Sequence, residues 1–233
     1  MARGHIPTTR EPRRFRHQGP TKFAGTALFR ATTLFAMIAT AATARPFGNP
    51  PMLTLLLVIV VALVALLAYA SSRPDTFRYE RSIHIAAPIV QVAELIDDFH
   101  EWSKWSPWEH IDPTMQRTYS GANAGVGAIY EWTGTGKVGA GRMEITEMRS
   151  GSERGLITIK LDFFKPFKAS NTAESLMKPT DSGTDLSWAM FGPSPFMSKL
   201  MGVFMDMDKM IGKDFEAGLQ ALKKNAEEAS KTG

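Results

Sequence analysis

The chain contains no cysteine, which excludes a disulfide framework, a thiolate metal site and a cysteine nucleophile together. Histidine is scarce as well. His5, His17, His84, His100 and His110 include no HExxH or other paired spacing, so a histidine-based zinc site lacks material, and no metal or cofactor is expected. No G-x-S-x-G elbow presents a serine nucleophile. The acid pairs Asp97/Asp98, Glu144/Glu147 and Asp206/Asp208 have spacings found on solvated faces, so no catalytic residue emerges from them. Glu147 alternates in step with Met143 and Ile145 and is the one candidate for a buried acid, although its place near the strand's end favours exposure to solvent.

Acidic residues are almost missing from the first 51 positions, where eight Lys/Arg stand against Glu11 alone. The formal charge of +4 therefore hides a body with 19 Lys/Arg against 22 Asp/Glu. A body charge of -3 gives no footing for nucleic acid, despite a pI near 9.3.

What the chain does have is one long uncharged run, Met52 to Ala70, "MLTLLLVIVVALVALLAYA". At ~1.5 Å per residue it is roughly 28 Å long, close to the ~30 Å hydrocarbon thickness of a bilayer, so a single transmembrane helix over 52–70 is expected. Two readings fit residues 1–51. One is a basic n-region and apolar stretch ending in "ATA" before Arg45, in the manner of a signal peptide; the other is an extension ahead of a start at Met52, unable to bury a core of its own. A basic tail retained in the cytoplasm would place the body outside, whereas Arg73, Arg78 and Arg81 pull the opposite way.

After a linker at 71–76 the chain reads as one domain, 77–228, with a short tail at 229–233. Phe77, Tyr79, Ile83 and Ile85 alternate with Arg78, Glu80, Ser82 and His84, as in a strand with one buried face. Pro88 opens a short helix, "PIVQVAELIDDF". Strand-like runs follow near 115–120, 126–133, 138–148, 154–163, 167–178 and 183–191, separated by turn signals such as "SGANAG" and "PTDSG". "GTGKVG", Gly134 to Gly139, matches G-x-G-x-x-G in letters, but a strand-like segment follows it where the dinucleotide fingerprint needs a helix, so it reads as a hairpin turn. From Ser194 the period changes: Leu200, Phe204, Met207, Ile211, Phe215, Gly218 and Leu222 recur at steps of three and four, predicting one long amphipathic helix. The class is thus α+β, an antiparallel sheet of about seven strands covered by that helix.

Alternation assigns one inner face to the sheet: Val126, Ala128, Tyr130 and Trp132; Met143 and Ile145; Ile157, Ile159, Leu161 and Phe163; Leu186, Trp188 and Met190. Met197, Met201, Met205, Met207 and Met210 are expected to lie against it, a soft surface suited to variable apolar ligands. Gly212 and Gly218 either vacate volume there or permit close helix-to-sheet packing. The segment "HEWSKWSPWEH" carries three of the five tryptophans, with Trp102 and Trp105 on one face of a short turn and Pro107 freeing Trp108 to be aimed separately.

The blocks "RSIHIAAPIVQVAELIDDFHEWSKWSPW", "DPTMQRTYSGANAGVGAIYEWTG" and "DKMIGKDFEAGLQALK", in this order, resemble the SRPBCC superfamily, the START-like group of polyketide cyclases and lipid-transport domains. The resemblance covers Phe77 to Glu228. It implies a helix-grip fold, a curved sheet wrapped around the C-terminal helix with an apolar tunnel between them and two short helices after the first strand at its mouth. The tunnel-lining set it implies is Trp102, Trp105, Trp108, Tyr119, Tyr130, Trp132, Met143, Ile145, Ile159, Leu161, Trp188, Met201 and Phe204. The expected function is membrane-tethered binding of a small hydrophobic or lipid-like molecule. Two alternatives stand beside it: a cyclase/dehydrase enzyme, in which Glu147, Asn171 or Arg142 would meet in the tunnel, and a non-catalytic interaction or stress-related module with a closed cavity.

Overall fold

The computed structural model describes residues 51–136, 138–149, 151 and 154–232; the two readings of residues 1–50 fall outside these. Helix α1, Pro51–Ser71, holds the uncharged run, and from Met52 to Ser71 it is long and apolar enough to cross a membrane. Past a short turn the chain enters β1 (Thr76–Ile85), α2 (Ile89–Asp97) and two 3-10 turns, Glu101–Lys104 and Pro107–His110. Six strands then follow in sequence: β2 (Gln116–Gly121), β3 (Ala128–Thr133), β4 (Ala140–Arg149), β5 (Gly155–Lys165), β6 (Ala169–Thr180) and β7 (Gly183–Pro193). Two helices close the chain, α3 (Phe196–Phe204) and α4 (Met207–Thr232).

All seven strands form one antiparallel sheet in the order β1-β7-β6-β5-β4-β3-β2. Consecutive strands pair as hairpins, and β1 returns to the edge beside β7. The inner face is the one that alternation assigns. Ile145, Ile157, Ile159 and Leu186 are almost fully buried there, and the core is continuous with Phe215, Leu219 and Leu222 of α4. Burying a side chain of this size contributes about 1.5–3 kcal/mol, so the face that α4, α2 and the 3-10 turns cover dominates stability.

Four positions depart from the sequence reading. Val126 is 57% exposed, because β3 begins only at Ala128. In β4 the register shifts between Ile145 and Glu147, so Met148 turns to the core while Glu147 pairs with Arg149 at the surface. A bulge inserts one residue and reverses the alternation beyond it. The expected single C-terminal helix is two, broken at Met205 and Asp206; the Asp206 carboxylate accepts the Lys209 backbone N–H and starts α4 afresh. The methionines on either side of that break are not core: Met197, Met201, Met205 and Met210 are 40–63% exposed, and Met207 is half-buried.

The two helix glycines serve close packing. A Cβ on Gly218 would lie 3.1 Å from Pro107 and 3.2 Å from Trp188, and one on Gly212 would fall on the Arg81 guanidinium. Arg81 passes under Gly212 to donate to the carboxylates of Asp208 and Glu216, fastening α4 to the edge strand.

"GTGKVG" forms the β3–β4 hairpin loop. Its Thr135 N–H and hydroxyl do hold an anion, but it is the chain's own: they donate to Oδ2 of Asp112, while the Thr114 N–H and hydroxyl donate to Oδ1. These donors, the Thr114 hydroxyl foremost, hold the Asp112 carboxyl well below the usual carboxylate range. A depressed folded pKa adds stability above the unfolded value of about 3.9 and loses it as pH falls further. Urea titrations should therefore find Asp112→Asn less stable than the parent at pH 6, with the gap closing as pH drops below 4. A gap independent of pH would show that the ionised carboxylate is not what the loop binds.

Candidate functional site

The tryptophan segment follows directly from how α2 ends. A helix leaves its last carbonyls without partners, and here two indoles supply them: Trp102 Nε1 donates to the Ile96 carbonyl at 3.0 Å and Trp105 Nε1 to that of Leu95 at 2.7 Å. Both rings are thereby drawn inward, to 4% and 3% exposure. Their centroids are 4.7 Å apart. Pro107 opens the second 3-10 turn and aims Trp108 separately, edge-on to Trp188 and to Phe215.

Trp188 of β7 lies at the meeting point. It stacks on Phe215 of α4 with centroids 4.2 Å apart and planes 10° from parallel, and it takes the edges of Trp105 and Trp102. The space between the sheet and the middle of α4 is therefore filled by rings. Two surface grooves, of about 460 and 430 Å³, lie outside that space: one around Lys160, Thr172 and Phe191 that also reaches Asn171 and Gly192, the other between α2, Ala124 and the end of α4.

Glu147 is at the surface, as its place near the strand's end suggests, and a different acid is buried. Glu109, 6% exposed, sits in the second 3-10 turn and accepts from the Tyr130 hydroxyl and from Arg117 Nε, each at 2.6 Å. Arg117 also donates to the Glu109 and Met115 carbonyls. Burial first, and the bond to Glu109 second, push the Tyr130 phenol upward, so it remains a neutral donor. With both carboxylate oxygens engaged, the triad acts as a clamp holding the tryptophan turn to β2 and β3. Glu147 and Arg142 take no part, since Arg142 pairs with Glu144 and Glu147 with Arg149.

Closure of the inner face is uneven along the strands. One transverse row runs through Gly192, Asn171, Leu161, Met143, Tyr130 and Tyr119 in successive register. Here Asn171 and Leu161 keep 9% exposure and Met143 7%, and in the next row outward Trp132 keeps 9% while Phe163 is only partly buried. One row deeper, Ile145 and Ile159 keep 0% and 1%. The face thus opens toward the end of the sheet where β1 begins and β7 finishes. Asn171 is the polar side chain at this opening, and its buried Oδ1 has no hydrogen-bond partner. Gly192 makes the position possible, because a Cβ there would fall 2.4 Å from that oxygen.

Among the residues expected to line a site, Tyr130, Trp132, Met143, Ile145, Ile159, Leu161 and Trp188 are buried on this face. Trp108 and Tyr119 are partly buried against it, Tyr119 stacking on His100 with centroids 4.1 Å apart. Trp102 and Trp105 belong to the filled part. Met201 and Phe204 stand on α3, 40% and 71% exposed. Glu109 and Arg117 were missed because nothing in a polar turn marks an acid for burial; an inward tyrosine that needs an acceptor is the available signal.

This architecture matches a known family. Residues 76–227 fit the family described as polyketide cyclase / dehydrase and lipid transport, and the chain belongs to it. No curated protein matches it in sequence. Among solved structures, the di-domain ARO/CYC StfQ of the steffimycin biosynthetic pathway is 14% identical with a TM-score of 0.50, covering 80% of this chain and 63% of its own. The Helicobacter pylori protein jhp0584 is 10% identical, also at 0.50, covering 68% and 92%. The Chromobacterium violaceum protein CV1439 is 18% identical at 0.45, covering 66% and 99%. At such identities the likeness concerns fold.

The clamp has a measurable worth. Tyr130→Phe deprives the buried Glu109 carboxylate of one donor and should cost about 1–3 kcal/mol by denaturant unfolding. A change within error would mean that the turn is held by its rings alone.

Proposed function

We propose that the chain is a single-pass membrane protein, anchored by α1, whose domain holds one small hydrophobic or lipid-like molecule at the open end of the sheet's inner face. The observation that carries this is Asn171: a buried acceptor without a donor, set among Leu161, Met143 and Trp132 where the face is incompletely covered. An unsatisfied buried carbonyl costs free energy, and a ligand hydroxyl or N–H would satisfy it. Gly192 packs directly against the Asn171 amide, which fixes the position of that oxygen. A ligand with an apolar body and one donor fits this lining. Membership of a family described by cyclisation, dehydration and lipid transport supports an apolar ligand in general terms.

The binding reading is preferred to an enzymatic one on chemical grounds. The polar triad nearest the opening is internally satisfied, and Tyr130 has no base character at neutral pH.

Fluorescence titration of the full chain in lipid nanodiscs, with two long-chain probes differing only in a terminal hydroxyl, tests the assignment. Both should quench tryptophan saturably, and Asn171→Leu should weaken the hydroxylated probe about five- to tenfold, the worth of one hydrogen bond, while sparing the other. The absence of saturable quenching by either probe would remove the site.

A further inference from the structure

Helix α3 is built inside out. Leu200 and Val203 are half-buried, but Met197, Met201, Phe204 and, at the C-cap, Met205 recur at steps of four, three and one, which places them on one face, and they are 63%, 40%, 71% and 44% exposed. Its one charged residue, Lys199, is the buried one at 9%. Such a helix needs an apolar partner, and an exposed patch of this kind marks an interaction surface.

The same helix is fastened to the segment that leaves α1. Lys199 pairs with Asp75, Arg73 donates to the Gly202 carbonyl, and the Ser194 N–H donates to the Asp75 carbonyl at 2.6 Å. Arg73 and Asp75 are only two and four residues beyond Ser71, the last residue of α1. At no more than ~3.5 Å per residue, the points that hold α3 lie within roughly 7 and 14 Å of the helix end. The polar region of a bilayer extends about 5–8 Å beyond its hydrocarbon on each side. Register puts a second apolar feature at this end of the sheet. Thr76 pairs with Pro193, Thr172 with Phe191 and Phe163 with Ala169, so Phe164 at the end of β5 and Phe167 in the β5–β6 connection, 47% and 72% exposed, share it.

We infer that the exposed face of α3 docks into the interface of the bilayer that α1 crosses, with Phe164 and Phe167 beside it, so that the open end of the inner face meets the lipid. This rests on the reading of α1 as a membrane span. Lys199 is neutralised by Asp75, so α3 itself is drawn by apolar burial, while the exposed Lys165 and Lys168 beside Phe164 and Phe167 add attraction to anionic headgroups. A ligand that partitions into lipid would then reach Asn171 without crossing water.

The absence of cysteine makes the test direct. Single variants Met201→Cys, Phe204→Cys, Leu63→Cys in α1 and Ser182→Cys in the β6–β7 turn carry nitroxide labels in the full chain, reconstituted in phosphatidylcholine vesicles with and without phosphatidylglycerol. Collision of each label with oxygen and with a water-soluble nickel chelate reports its surroundings. Labels at 63, 201 and 204 should favour oxygen and the label at 182 should favour the chelate in both lipid mixtures. A dry label at 63 with wet labels at 201 and 204 overturns the docking while leaving the anchor intact. A wet label at 63 overturns the anchor, and the docking with it. Dipolar broadening at 201 between chains would assign the face to a second copy instead.

Discussion

The stack of Trp188 on Phe215 is the contact around which the domain is organised. A sheet with one apolar face must be covered, and here the cover comes in three pieces: α4, α2 and the tryptophan turn. Trp188 is where they converge, flat against the long helix and edge-on to three rings of the turn. Aromatic pairs in such arrangements contribute about 0.5–1.5 kcal/mol beyond the area they bury. The turn reaches that point because its indoles complete the unpaired end of α2. It stays there because Glu109 is held from β2 and β3.

Concentrating the large rings at one place leaves the other end of the face less well closed. Gly192 and Asn171 interrupt the large side chains there, and Leu161, Met143 and Trp132 keep slight contact with solvent. The chain therefore has a filled half that sets stability and an open half with an unsatisfied acceptor. That open half lies at the end of the sheet where β1 begins, five residues after α1 stops. The proposed ligand site and the apolar helix α1 are in this way both joined to one end of the sheet.

Much of this was legible in the sequence, because strands with one buried face announce themselves by alternation. The seven strands and the inner-face residues from Ile145 to Trp188 followed from period two, and the hairpin nature of "GTGKVG" from the segment after it. The reading failed where a local event broke a period. The bulge after Ile145 reversed the alternation, which turned Glu147 outward and brought Met148 in. At Met205 and Asp206 the three-and-four spacing of apolar residues runs across a helix break, so two helices looked like one. Asp206, three residues ahead of the N–H it accepts, was the available sign. With the break unseen, the methionines of α3 were assigned to the interior, although they belong to the surface. The Glu109 clamp had no period to reveal it. It depends on a turn and two strands meeting in space.

Native mass spectrometry of the full chain, purified from its native cells in a mild detergent, decides whether the domain holds a ligand. A binding domain of this construction should carry a single apolar molecule in roughly one-to-one ratio, lost selectively from a Leu161→Trp variant that fills the open end. A chain that arrives bare under conditions that keep annular lipid on membrane proteins would contradict the account.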